Sequence, residues 1–201
     1  MDKDRLVQVL RRDEGVRSRP YCDSRGFLTI GVGRNLATVG IALWELRELD
    51  RLSPLPFESV GEFLIFLAEL EIEGGYWYPW LGHLQKLFPD GLSDPQIDLL
   101  LDADIKRSVS ELGCAFSEFC VLPGLVQEVL VNVMFNLGSQ AFSGFRKMIS
   151  ALHAADWSRA AAELLDSRAA RQTGSRYLRL ARVLRTQSPE GFELPPVSNI
   201  L

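Results

Sequence analysis

The sequence predicts a helix-dominant α+β fold, with a small N-terminal β-sheet lobe and a larger C-terminal helical lobe. Three observations predict it. Apolar residues recur at helical spacing in the opening segment and again in nearly every segment after residue 93. Between the opening segment and residue 36 lies one stretch that combines turn residues with β formers. The chain has 201 residues, 47% of them hydrophobic and 24% charged, which is the balance of a soluble globular protein. That length buries a core without disulfides or structural metal.

The elements follow in order. Leu6, Val9 and Leu10 place a first helix over residues 3–13, stopped at Gly15. The stretch RPYCDSRGFLTIGVGRN has turn residues at Asp23-Ser24-Arg25-Gly26 and β formers from Phe27 to Val32, which predicts a hairpin or small sheet. Leu43, Leu46, Leu49 and Leu52 recur every third position over 42–52 and predict a helix, broken by Ser53-Pro54-Leu55-Pro56. Ser59 with Glu62 is a capping box for a helix to about residue 72, ended by Gly74-Gly75. An aromatic cluster follows: Tyr76, Trp77, Tyr78 and Trp80. Ser93 with Gln96 is a second capping box, opening a long helix with Ile97, Leu100, Leu101, Ile105, Val109 and Leu112 on one face. Pro123 suits a helix first turn, and Gly138 a helix end. Ser143 is read as the cap of 144–154, Asp156 as the cap of 157–166, and a last helix covers 174–186. Residues 188–201 read as a Pro-containing tail. The lobes then run 1–92 and 114–187, joined by a connecting helix over 93–113, as parts of one domain.

Composition narrows the functional classes. The N-terminus MDKDRLVQVL has no apolar core or cleavage site of a secretory signal. The longest apolar run, Phe63 to Ala68, is too short to span a bilayer. The expectation is a soluble chain made in the cytoplasm, without stable membrane insertion. Cys22, Cys114 and Cys120 match no zinc spacing and are expected as reduced, partly buried thiols. With His83 and His153 the sole imidazoles, neither a metal nor another cofactor is expected. The net charge of −4 is uneven: residues 159–185 carry seven arginines against Glu163 and Asp166, a net +5, which leaves −9 elsewhere. A basic band on an acidic chain reads equally as a site for an anionic ligand or as a solvated helix face.

Carboxylates at the first helix end and in the following turn suggest acid–base chemistry. Glu14 closes the first helix, Asp23 lies nine residues on in the hairpin turn, and Thr29 six further on the strand. Glycoside cleavage needs an acid for the leaving oxygen and a second carboxylate to assist attack at the sugar carbon. By spacing alone the signal is weak, because exposed carboxylates are common. The wording around it is more specific. RRDEG and YCDSRGFLTIGVGRNL, then SDPQIDLLLDADI, VNVMFNLGSQAFSGF and WSRAAAELLDSRAARQTGSR, resemble in order the T-even phage lysozyme (endolysin) family of glycoside hydrolases. The resemblance covers residues 4–36 and about 93–186.

The resemblance implies a lysozyme-like two-lobe fold and hydrolysis of the β-1,4 bond between N-acetylmuramic acid and N-acetylglucosamine in bacterial peptidoglycan, with inversion of configuration. It implies Glu14 as general acid, and Asp23 with the Thr29 hydroxyl as the groups that position a water or stabilise charge on the sugar. That role for Glu14 calls for an acid still holding its proton near neutral pH. It implies that Arg176, in QTGSR, reaches toward the catalytic Glu and ties the lobes together. Gly33 is a candidate for close approach of the sugar, though it and Gly31 also meet an ordinary turn requirement. Asn136 is a candidate hydrogen-bonding group for N-acetyl sugars; for Asn132 a contact between elements is the equal alternative.

The chain departs from the family in three places. The family pairs a His after T-I-G-x-G with an Asp on the long helix; here Arg34 and Asp104 stand there and are expected to form a salt bridge at the junction of the lobes. Residues 37–92 are much longer than the family segment and carry nine acids against three bases, net −6. They are expected to add at least one helix, near 59–72, to the small lobe, and to serve as core, as sugar platform or as a surface for a partner. The whole chain is acidic, where many lysozymes are basic. The expected partner is the peptidoglycan glycan strand, with no nucleic acid, and the protein is expected as a monomer. Two deployments are open: a phage endolysin released through a holin to act in the periplasm, or an injected or virion-associated lysozyme. A non-catalytic wall-binding module is the third reading, and it gives no reason for an acid at position 14.

Overall fold

In the computed structural model, the described residues are 1–23, 26–36, 41–52, 81–82, 85 and 89–193. They form a helix-dominant α+β fold with one three-stranded antiparallel sheet. The expected helix near 59–72, the aromatic cluster at 76–80, the hairpin tip at Ser24-Arg25 and the chain from 194 onward lie outside them. The chain divides into two compact units, one of Leu10–Asp104 and one of Met1–Val9 with Ile105–Leu201.

The chain opens with α1 (Lys3–Glu14), which Gly15 stops in a left-handed conformation (φ +75°). In the unit of Leu10–Asp104 it is followed by β1 (Arg17–Cys22), β2 (Leu28–Gly31) and β3 (Arg34–Asn35), in the sheet order β1-β2-β3. Tyr21 pairs with Thr29 and Cys22 with Leu28; across the next hairpin Thr29 pairs with Asn35 and Ile30 with Arg34. Directly paired residues share a face of an antiparallel sheet. One face therefore carries Cys22, Leu28, Ile30 and Arg34, and the other carries the row Tyr21–Thr29–Asn35. On the first face Leu28, Ile30 and Arg34 are buried and Cys22 is half-buried; on the second Thr29 is buried and Tyr21 and Asn35 are half-buried. The polar row is thus the more open side of the sheet.

The helix α2 (Leu43–Leu52) buries Leu46 and Leu49 and leaves Trp44 and Leu52 exposed. The long helix α3 (Asp94–Ala115) begins at the expected capping box: the Ser93 N–H donates to Gln96 Oε1 at 2.8 Å. The Gln96 amide also donates to the Leu49 carbonyl at 2.9 Å, joining the start of α3 to the last turn of α2. Gln96 is 2% exposed, so an open amide at that depth would be costly.

In the unit of Met1–Val9 with Ile105–Leu201, α4 (Gly124–Phe142) is buried along Val126, Val129, Leu130, Val133 and Met134. Gly138, with φ +75° and ψ 167°, ends the first helical run of α4 as expected, and a second run of about one turn follows to Phe142. This shifts the following cap. Ser143 closes α4 and its hydroxyl donates to the Gln140 carbonyl; it does not cap α5 (Arg146–His153), whose N-cap Phe145 offers no side-chain bond. Asp156 does cap α6 (Trp157–Leu165), accepting from the Arg159 N–H at 2.9 Å. Ser167 caps the short α7 (Arg168–Thr173), a helix the periodicity did not indicate because it has barely two turns. The last helix, α8 (Ser175–Thr186), ends at Gln187 in the left-handed region. The expected tail starts differently: Pro189–Phe192 form a 3-10 turn with Phe192 buried, and a side chain at Gly191 would collide with Val183 of α8.

One buried acid of this unit was not visible in the sequence as such. Glu128 is fully buried in α4 and takes a forked pair of bonds from Arg5, each 2.8 Å, plus the Asp2 N–H at 2.8 Å. The fork holds the first turn of α1 against α4, and it raises the Arg5 pKa chiefly through the side-chain hydrogen bond. No helix among the described residues is long and apolar enough to cross a membrane. Cys114 and Cys120 are exposed, contrary to the expectation of partial burial, and Cys22 is half-buried.

Candidate functional site

The site is built from the β1–β2 hairpin, the β2–β3 turn and the end of α1, all within Leu10–Asp104. Asp23 opens the hairpin turn. Its backbone N–H donates to the Phe27 carbonyl (2.8 Å), and its Oδ1 accepts from the Phe27 N–H (2.8 Å). The same Phe27 carbonyl accepts the Thr29 hydroxyl at 3.1 Å. The backbone of one residue, Phe27, therefore links the carboxylate and the hydroxyl. A short polar side chain at position 23 suits this, because Asp bonds its own turn readily. The hydroxyl proton of Thr29 is committed to Phe27, which orients its lone pairs away from that carbonyl as acceptors.

Glu14 is half-buried at the last residue of α1 and touches the β2–β3 turn. Three residues, Gly31-Val32-Gly33, lie between the paired Ile30 and Arg34, and both glycines have positive φ, +65° and +68°. Gly33 carries a second constraint: a Cβ there would lie 3.1 Å from Glu14 Oε2 and 3.3 Å from its Cγ, while a Cβ at Gly31 would meet nothing within 4 Å. Both Gly31→Ala and Gly33→Ala are expected to lose about 1–3 kcal/mol to backbone strain. Gly33→Ala should fall further in thermal unfolding, because Glu14 must also move; equal losses would show that the contact is relieved without cost.

Behind this turn lies a charge cluster. Arg34 Nη1 lies 3.3 Å from Asp104 Oδ1, and Arg34 Nη2 donates to Glu45 Oε2 at 2.7 Å. Exposure is 3% for Arg34, 3% for Glu45 and 7% for Asp104, which makes the cluster an interior feature. All three residues belong to the unit of Leu10–Asp104, with Asp104 its last residue. Glu45 was missed: in the run WELRELD it reads as one of several solvated acids. Its Oε2 also accepts from the Ala42 N–H at 2.7 Å, the reach-back bond of a capping box, but with Ala at the cap the sequence pattern is absent.

The remaining candidates lie in the other unit. Arg176 is 5% exposed and donates twice to Asn132, to Oδ1 at 2.7 Å and to the backbone carbonyl at 3.0 Å. Asn132 is thus a contact between α8 and α4. Asn136, one turn along α4, accepts from the Tyr177 hydroxyl at 3.2 Å. No group of three or more His, Cys, Asp or Glu among the described residues is arranged to hold a metal ion.

Fold and site together define a class: a helix-rich α+β chain whose small sheet gathers two acids and a hydroxyl around two tight turns. The chain is similar to the pre-baseplate central spike protein Gp5 of Enterobacteria phage T4, with 26% identity over 187 residues that make up 93% of this chain. It spans 28% of the length of that protein. No protein-family model matches the chain.

Proposed function

We propose that this chain is a lysozyme (muramidase) that hydrolyses the β-1,4 bond between N-acetylmuramic acid and N-acetylglucosamine in peptidoglycan. The observation that carries the reading is the linkage of Asp23 to Thr29 through the backbone N–H and carbonyl of Phe27, in the same unit as a Glu14 packed on the Gly33 turn. The groups have complementary tasks. Glu14 donates its proton to the glycosidic oxygen as the bond to the anomeric carbon breaks. Asp23 and Thr29 accept hydrogen bonds from a water whose oxygen joins that carbon, and Asp23 takes the proton the water gives up. Attack by water on the face opposite the leaving group inverts the anomeric centre. Gly33 is assigned a part in holding the glycan beside Glu14. Arg34 and Asp104 support the turn beside the acid.

The similarity to a spike protein favours a virion-associated lysozyme, delivered with the particle, over a free endolysin that needs a holin. Either role uses the same chemistry. Purified protein incubated with sacculi from outer-membrane-stripped Gram-negative cells is expected to clear them and release new reducing ends at muramic acid. Clearing without reducing ends would point to an amidase or peptidase, and no clearing would overturn the hydrolase reading.

A further inference from the structure

We infer that Tyr21 is a substrate-facing residue of the proposed hydrolytic site, whose phenol hydroxyl donates a hydrogen bond to the N-acetyl carbonyl of the bound glycan. The inference rests on the muramidase reading and names a group that neither the motif nor the similarity assigns. Its geometric basis is the sheet register. Tyr21 stands directly opposite Thr29, so both side chains leave the same face, and Asn35 completes the row beyond Thr29. The alternate residues, Cys22, Leu28, Ile30 and Arg34, take the other face. Tyr21 also lies two residues before Asp23, in the strand that delivers that carboxylate.

The ring is held. The Arg17 guanidinium lies 5.9 Å from its centroid, within the range of a cation–π contact, and the side chain is half-buried. Among the described residues the hydroxyl has no hydrogen-bond partner, although a half-buried tyrosine usually finds one. Its electrostatic surroundings agree with a position near both acids. The phenol pKa is raised above the usual 10, first by burial, then by the negative charges of Glu14 and Asp23, against an opposing effect of Arg17. The hydroxyl therefore keeps its proton through neutral and mildly alkaline pH and acts as a donor.

Substrate chemistry completes the assignment. Sugar hydroxyls can donate to the Asp23 carboxylate, but the N-acetyl carbonyl oxygen only accepts and is repelled by it. A neutral donor near the Asp23 carboxylate matches that one group. The experiment compares wild type with Tyr21→Phe, which removes a single oxygen, on intact sacculi and on sacculi chemically stripped of N-acetyl groups. One neutral hydrogen bond corresponds to about three- to tenfold, so Tyr21→Phe is expected to lower kcat/KM on intact walls by that factor with an unchanged melting temperature. On stripped walls the two proteins should differ by less than about twofold. An equal loss on both substrates would overturn the N-acetyl assignment, and no loss on either would overturn a substrate-facing role. A wild type inactive on intact sacculi would instead refute the hydrolase reading on which the inference rests.

Discussion

Glu14→Gln is expected to give a folded protein whose rate of wall hydrolysis is lower by at least two to four orders of magnitude. The amide keeps the size and shape of the acid but has no proton to give to a leaving oxygen, and general acid catalysis alone accounts for about 10²–10⁴ in rate. Folding should be spared for two reasons. The side chain is half-buried rather than locked in the core, so an isosteric change meets the same neighbours. A negative charge at the carboxyl end of a helix also opposes the helix dipole, so a neutral group at the last residue of α1 is not penalised there. The check is reducing-end release from sacculi alongside thermal unfolding. A variant that hydrolyses at near the wild-type rate would remove Glu14 from the chemistry, and a parallel collapse in melting temperature would assign it to packing instead.

Arg34→Met is expected to produce the largest loss of stability. Arginine brings a planar fork of donors to two carboxylates at once, one on α2 and one on α3, and all three groups are at most 7% exposed. Removing the cation leaves Glu45 and Asp104 buried as like charges without their counter-ion, and breaking a buried ionic group in this way costs about 3–5 kcal/mol. For a chain of this size that is a fall in melting temperature of roughly 6–20 °C. Replacing all three by apolar residues of similar volume should recover much of it, since the penalty lies in the stranded charges rather than in the missing attraction. Arg34→Met with a wild-type melting temperature would show that the cluster is open to water and that its charges are screened.

Local signals were legible where the chain satisfies its own backbone nearby. The Ser93–Gln96 and Asp156 caps, the left-handed stop at Gly15 and the turn at Asp23 depend on partners within four residues, and propensity and spacing carry them. The same local reading failed at Ser143 because a further helical turn follows the end at Gly138, and whether the chain resumes its helix after a glycine depends on what the next turn buries. Phe142 is fully buried, and that burial carries α4 past the break. Ser167 and its two-turn helix escaped for a related reason: six residues hold too little periodicity to register.

Longer-range polar contacts were much less legible. Glu128 sits between apolar residues of α4 and looks, by sequence, like an interruption of the core, yet it is the acceptor that binds Arg5. Glu45 looks like a surface acid in a charged helix, and only the placement of α2 beside Arg34 makes it interior. Asn132 and Asn136 present the same residue type one turn apart, and their partners on α8, Arg176 and Tyr177, are more than forty positions away.

By itself the sequence determined the order of helix, small sheet and helices, the caps that start several of them, and the set of acids and hydroxyl near the first turns. These follow from periodicity and from bonds closed within a few residues, which are properties of short segments. The tertiary structure decided which charges are interior, which face of the sheet is open and which side chains share it. Tyr21 belongs with Thr29 because strand register sets them opposite each other, and Glu14 meets Gly33 because the end of α1 packs on that turn. Burial and cross-strand pairing arise only when distant segments meet, so no window of the chain contains them.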